Sequence, residues 1–275
     1  MLATHEWQPA PGGPPPRLAV LVHGVTGWHR TWWRVGPALA ERGWRVVAVD
    51  LRGHGRSPRI AGHTTVPEMS DDLAATIEAL GTAADALIGH SLGGAVSAEL
   101  GFTRPDLVRR LVLEDPPAIT RADDVAWQES LDREMRAAVD DPEGEVRREL
   151  AANPAWLEED ARQDVEGRRL ADRQGLLATF RRETGARVLE LAPLLAIPAL
   201  YLLASEERSA IPAEPRRRLE ALLPSTACLV ALDVGHTIHR DRFDDWMAVV
   251  TDWLAADDAI GEAIERSVAA GMGAG

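Results

Sequence analysis

The chain has 275 residues, enough for one large domain or for a core with an insertion, and its net charge of -13 repels polyphosphate, so neither nucleic acid nor an anionic membrane surface is an expected partner. A single cysteine, Cys228, excludes an internal disulfide scaffold and suits a reducing, cytoplasmic setting. The first residues lack a basic region followed by an apolar core, and no apolar run approaches the roughly 20 residues that span a bilayer, so neither a signal peptide nor a membrane span is expected.

In chain order, a short strand is expected near Leu2 to Trp7, followed by a loop over Gln8 to Pro16, where prolines remove donors and glycines add backbone freedom. The runs "RLAVLVHG", "WRVVAVD", "DALIGHS", "RRLVLED", "IPALYLLAS" and "ACLVALDVGH" are rich in Val, Ile and Leu, the pattern of strands buried on both faces. Cys228 lies in the last of these runs and reads as a buried structural thiol. Between the runs, Met69, Leu73, Ile77 and Leu80 recur at helical spacing, with Gly81 as the stop. Phe243, Trp246, Val249, Val250, Trp253 and Leu254 repeat that spacing near the end. Alternating strands and helices predict an α/β fold, a mostly parallel, doubly wound sheet.

Residues 119–193 break this rhythm with charged helical sequence and no strand-like run, which predicts an inserted helical cap on a core made of residues 1–118 and 194–275. The tail "AIERSVAAGMGAG" is expected to fray.

One serine stands out. In Gly89-His90-Ser91-Leu92-Gly93 it follows a strand and precedes a helix, so the chain must turn sharply at Ser91 and lift its hydroxyl above the sheet edge, with the amide of Leu92 beside it. The plainer reading is a serine that caps a helix. With "LVHGVTG", "VVAVDLRGHGRS", "LIGHSLGG" and "VGHTIHRDRF" in order, the chain resembles the α/β-hydrolase superfamily over most of its length outside the cap.

That resemblance implies a catalytic triad. Ser91 would be the nucleophile and His236, directly after the last strand run, its base; His239 competes for that role from the same loop. The family usually carries the acid after its seventh strand, but in "YLLASEERSAIP" that place falls on Arg208, with Glu206 and Glu207 slightly early. Some relatives place it one strand sooner, which offers Asp115 in "LVLEDPP". Asp115 is the preferred assignment, with Glu207, Glu114 and Glu206 left open. The oxyanion amides would be those of Val25 and Leu92.

"DLRGHGRS" lacks the spacing of a phosphate-cradling loop and reads as a structural turn, with His54 packed rather than catalytic. Trp28 and His90 are the expected substrate-binding residues, and most of the nine tryptophans are expected to pack. No metal-ligand spacing occurs, and hydrolysis by such a triad needs no cofactor. The expected activity is serine hydrolysis of a carboxylic ester or lactone of a small to medium apolar molecule. Carbon-carbon, thioester or perhydrolytic use of the same triad, or a non-catalytic ligand sensor, are the alternatives.

Overall fold

The computed structural model describes residues 1–118, 122–182, 184 and 186–256. The expected fraying tail, and the expected start of the insertion at residue 119, lie outside the described residues. Seven strands form one sheet: β1 (Thr4–Trp7), β2 (Arg17–Val22), β3 (Trp44–Val49), β4 (Ala86–His90), β5 (Leu111–Glu114), β6 (Ala199–Leu203) and β7 (Ala227–Ala231). Their spatial order is β1-β3-β2-β4-β5-β6-β7. β1 pairs antiparallel with β3, and every other pair is parallel.

Successive strand side chains alternate between two cores, as a period of two requires. Leu18, Val20 and Val22 of β2 enter one core, and Ala19 and Leu21 enter the other. On the first face lie α2 (Val66–Ala79) and α3 (Leu92–Thr103), which contribute Met69, Leu73, Ile77, Val96 and Leu100. On the second lie α1 (Val35–Ala40) and the terminal helix α11 (Phe243–Ala255), which contribute Leu39, Trp246, Val250 and Trp253. The doubly wound sheet expected from the sequence is thus the observed one.

β7 departs from the expectation. Its run was read as buried on both faces, yet as an edge strand it is mostly half-buried, Cys228 included. The helix α2 begins where Thr65 accepts from the Glu68 amide while Glu68 accepts from the Thr65 amide, a reciprocal cap.

Between β5 and β6 the chain builds α4 (Val125–Asp140), α5 (Pro142–Ala152), α6 (Glu158–Leu170), α7 (Arg173–Phe180) and the single turn α8 (Val188–Leu191). The stretch "GEVRRELAANPAWLEEDARQ" is not one helix: α5 stops at Ala152, just before Asn153-Pro154, and α6 starts four residues after the proline. Ala138, Val146, Ala161 and Val165 give these helices a small core of their own. After β6 come α9 (Ala213–Leu222) and, following β7, the short α10 (Ile238–Asp241). Among the described residues no helix is long and apolar enough to cross a membrane.

Candidate active site

Parallel strands carry their C-terminal ends to one edge, and the residues singled out for chemistry lie at those strand ends or in the segments that leave them. Ser91 sits between β4 and α3 with φ 52° and ψ -121°, a left-handed conformation rare for a residue with a side chain. Such a backbone costs on the order of 1–3 kcal/mol and persists only when its surroundings dictate it. Here they do. The Ser91 amide donates to the Glu114 carbonyl at 2.8 Å, and the Ser91 carbonyl accepts from the Ala95 amide at 3.1 Å.

The flanking glycines are required by close approach. A Cβ on Gly93 would lie 2.3 Å from the Val22 carbonyl oxygen, and one on Gly89 would lie 2.3 Å from that of Gly93. Helix α3 therefore starts pressed against β2 and β4, which aims its first amides at the sheet edge. Leu92, the first residue of α3, has an amide with no intrahelical acceptor. Its neighbour across the site is Val25, in the turn after β2 that the Gly27 amide closes onto the Gly24 carbonyl at 3.1 Å.

That turn is held from below. The His23 ring donates from Nδ1 to the Gly24 carbonyl at 2.7 Å and accepts the Leu51 amide at Nε2, 3.0 Å away. In the "DLRGHGRS" turn, buried Asp50 accepts from the His29 amide at 2.6 Å and the Arg56 amide at 2.9 Å. His54 is buried, and burial pushes its pKa down to about 3.

His236 lies beyond β7, and its Nδ1 is 2.5 Å from Asp115 Oδ2. A carboxylate can only accept, so Nδ1 carries the proton and Nε2 is left as the basic nitrogen. Asp115 is fully buried and held by three further donors: the Ala204 amide at 3.2 Å and the Ser209 hydroxyl at 2.5 Å on Oδ1, and the Ala210 amide at 2.8 Å on Oδ2. Its φ of 43° turns the carboxylate out of the β5 ladder toward His236.

The loop after β6, where the family's usual acid would stand, supplies these donors instead. Glu206, Glu207 and Arg208 on it are exposed. Ser209 and Ala210 were not singled out from the sequence, because donors to a carboxylate carry no residue signature of their own.

Glu114, the residue before Asp115, faces the other way. Its carboxylate accepts from the His239 amide at 3.1 Å, the His239 ring at 2.9 Å and the Trp246 indole at 3.0 Å. His239 is therefore buried on α10 rather than loose in a loop, and its imidazole is hydrogen-bonded to the Glu114 carboxylate behind the site. Burial by itself would raise the Glu114 pKa, but the charge and hydrogen bonds of His239 outweigh it and hold the group at about 2.

Because that folded value lies below the ordinary one, Glu114 contributes its full stabilisation above about pH 4.5, and the contribution is lost as pH falls toward 2. Glu114→Gln is expected to cost about 1–3 kcal/mol at pH 7, because the carboxamide NH2 faces buried donors on one side, the His239 amide and ring or the Trp246 indole, and leaves them without an acceptor. Urea melts at pH 7 and pH 3 should give a gap between wild type and variant that narrows at the lower pH. A pH-independent gap would refute the account of Glu114 as a carboxylate held ionised by these partners.

Two cavities meet at Ser91 and His236. One, of about 310 Å³, is walled by Leu92, Pro117, Trp127 and Phe180. The other, of about 260 Å³, is walled by His90, Asn153, Trp156, Arg168 and Thr237. Val25 lines both. Of the expected substrate contacts, His90 borders the second cavity, and its Nε2–H donates to the His236 carbonyl at 3.1 Å. Burial pushes the His90 pKa well down, so the ring is neutral at pH 7.

Trp28, the other expected substrate contact, lies away from these two cavities. It is buried, its indole donates to the Gln163 carbonyl of α6 at 3.1 Å, and it is not among the residues walling either cavity. Its place next to the turn in sequence did not reveal that the side chain reaches α6. Trp127 and Trp156 reach the cavities instead.

The family model for the alpha/beta hydrolase fold matches residues 19–243, a span that takes in every loop just described. The chain belongs to the α/β-hydrolase family. This hydrolase is 26% identical over 269 residues to an sn-1-specific diacylglycerol lipase of Mus musculus, covering 86% of its own length and 80% of the relative's. It is 41% identical over 112 residues to lipase LipV of Mycobacterium tuberculosis, 41% of each chain. Among solved structures, an enol-lactonase from Burkholderia xenovorans superposes with TM-score 0.71 at 22% identity, covering 92% of the hydrolase and 96% of that chain. An esterase from Thermogutta terrifontis superposes with TM-score 0.69 at 25% identity, covering 92% of each.

Proposed function

We propose that this hydrolase cleaves a carboxylic ester or lactone of a small to medium apolar substrate through an acyl-enzyme intermediate. Ser91 Oγ attacks the carbonyl carbon as its proton passes to His236 Nε2. Asp115 holds the imidazole in the Nδ1–H tautomer and stabilises the imidazolium that forms. The carbonyl oxygen, now negative, is met by the amides of Val25 and Leu92, where each such donor is worth about 3–4 kcal/mol of barrier. Collapse of the tetrahedral species breaks the ester bond, and the departing alcohol takes the proton from His236. Water, deprotonated by the same nitrogen, then attacks the acyl-Ser91 ester and releases the acid.

The observation that carries this reading is the four-donor cradle on Asp115, one arm of which is the 2.5 Å bond to His236, at a cavity that Ser91 also lines. A carboxylate that only capped a turn would have no need of an imidazole, and this imidazole lines both cavities beside Ser91. The lipase, esterase and lactonase names among the relatives agree with an acyl-transfer site. In the same reading α4 to α7 act as a cap over the core, since Trp127, Phe180 and Trp156 reach the cavities from those helices and the link between α5 and α6.

A fluorophosphonate probe tests the proposal directly. It is expected to leave one covalent adduct on the tryptic peptide containing Ser91, with loss of fluoride, and denatured protein should not react. An adduct elsewhere, or none on the folded protein, would remove Ser91 from the role.

A further inference from the structure

The two cavities that meet at Ser91 differ in chemistry, and the difference bears on the substrate. The first is walled by Leu92, Pro117, Ala186 and the edge-on ring pair of Trp127 and Phe180, whose centroids are 5.1 Å apart, with Thr184, Ser209 and Arg208 as its polar lining. Its space suits a hydrocarbon chain or ring of modest size. The second is bordered by three carboxylates, Glu149, Asp164 and Asp241, and by a single guanidinium, that of Arg168.

The charge of Arg168 is already committed. Its Nη2 lies 2.7 Å from Glu149 Oε1 and 2.8 Å from Asp164 Oδ2, and its Nη1 faces Glu145 at 3.7 Å. Asp241 accepts one indole N–H, from Trp156 at 2.7 Å. Asn153 donates to the Glu149 carbonyl and carboxylate at 3.0 Å and 3.1 Å, which leaves its own amide oxygen as an acceptor. Burial raises the Glu149 pKa, so that carboxyl is the easiest of the group to protonate. Arg240 also meets this wall, its Nη1 2.7 Å from Asp164 Oδ1. Glu145, Glu149, Asp164 and Asp241 still outnumber the two guanidiniums, so the walls are rich in acceptors and net negative, a surface that hydrogen-bonds hydroxyl groups and disfavours phosphate or carboxylate.

We infer that the substrate is amphiphilic, with the apolar portion on one side of the scissile ester lying between Trp127 and Phe180, and a hydroxyl-bearing, non-anionic portion on the other side lying against Asn153, Glu149, Asp241 and Thr237. This deepens the proposed ester hydrolysis and rests on it. Binding energy from both portions would fix the ester carbonyl over Ser91, which an ester apolar on both sides could not achieve, because it would take these half-exposed acceptors from water and give them no donor.

The test is a set of esters hydrolysed by the full chain: hexyl hexanoate, glyceryl 1-hexanoate, hexyl glycerate, and the 3-phosphate of glyceryl 1-hexanoate, with p-nitrophenyl hexanoate as the activated reference. One of the two uncharged amphiphilic esters is expected to exceed hexyl hexanoate by about tenfold or more in kcat/KM, the range over which unpaired polar groups discriminate. The phosphorylated ester is expected to fall below glyceryl 1-hexanoate. If p-nitrophenyl hexanoate is turned over while hexyl hexanoate matches both amphiphilic esters, or the phosphorylated ester is preferred, the inference fails and ester hydrolysis stands. If none of the esters is cleaved, ester hydrolysis fails and the inference with it.

Asn153→Leu should lower the ratio of amphiphilic to hexyl hexanoate turnover about fivefold or more. The ratio is insensitive to the folded fraction of the sample. Should that variant not fold, Thr237→Val, which exchanges one hydroxyl for a methyl group, should lower the same ratio. A ratio unchanged in the variant that folds overturns the assignment of the polar side.

Discussion

Replacing Ser91 with alanine is expected to lower kcat/KM for p-nitrophenyl hexanoate by about ten-thousand-fold to million-fold, the range found when the nucleophile of a triad is removed. Without the Oγ there is no acyl-enzyme, and what remains is the oxyanion site acting on water. The loss should not come from unfolding. Alanine inherits the same φ of 52°, the same amide bond to Glu114 and the same carbonyl bond to Ala95, so the elbow keeps its strain and its supports. Circular dichroism and a thermal melt of the variant are expected to match wild type. Residual activity above about one part in a thousand, in a preparation free of wild type, would mean that another group performs the attack.

The parts of this site that were legible in the sequence are those fixed by local geometry. Gly89 and Gly93 announce the close approach of α3 to β2 and β4, the apolar run ending at His90 announces a buried strand, and a sharp turn at Ser91 follows from their juxtaposition. His236 was legible for a similar reason, since it comes directly after the final strand run and parallel strands end at one edge. The carboxylate bonded to His236 was not, because Asp115 and Glu207 lie on adjacent loops at that edge and sequence distance does not say which reaches the imidazole. Even the alternation of strand side chains settled only half of it. Glu114 and Asp115 must point to opposite sides, but which of the two meets His236 depends on the positive φ of Asp115.

The contacts of Trp28 and of the polar cavity were hidden for a further reason. They are made with the helices between β5 and β6, as in the bonds of Trp28 to Gln163 and of Asn153 to Glu149, and the packing of those helices is a tertiary fact with no local period. Charge runs such as "RREL" read as solvated helix faces, and Arg147 in that run does lie exposed on α5. Yet Arg168, in a similar run on α6, turns inward to meet Glu149 and Asp164. Helical periodicity gives the face but not what covers it.

Asp115→Asn is expected to reduce kcat about ten-thousand-fold with little change in KM, whereas Glu207→Gln should leave both near wild type. The split follows from which groups face the carboxylate. Oδ2 receives the His236 Nδ1–H and the Ala210 amide, so a carboxamide keeps its oxygen there and turns its NH2 toward the Ser209 hydroxyl, which can reverse to accept. The Ala204 amide, 3.2 Å from Oδ1, then meets a second donor and loses its acceptor, a cost of about 1–3 kcal/mol in stability. The negative charge is gone in either orientation. His236 can still be held, but its protonated form is no longer stabilised as Ser91 gives up its proton, and that deficit falls on the transition state rather than on substrate binding. If Glu207→Gln abolished turnover and Asp115→Asn did not, the acid would belong to the loop after β6 and the 2.5 Å bond between Asp115 and His236 would have no catalytic role.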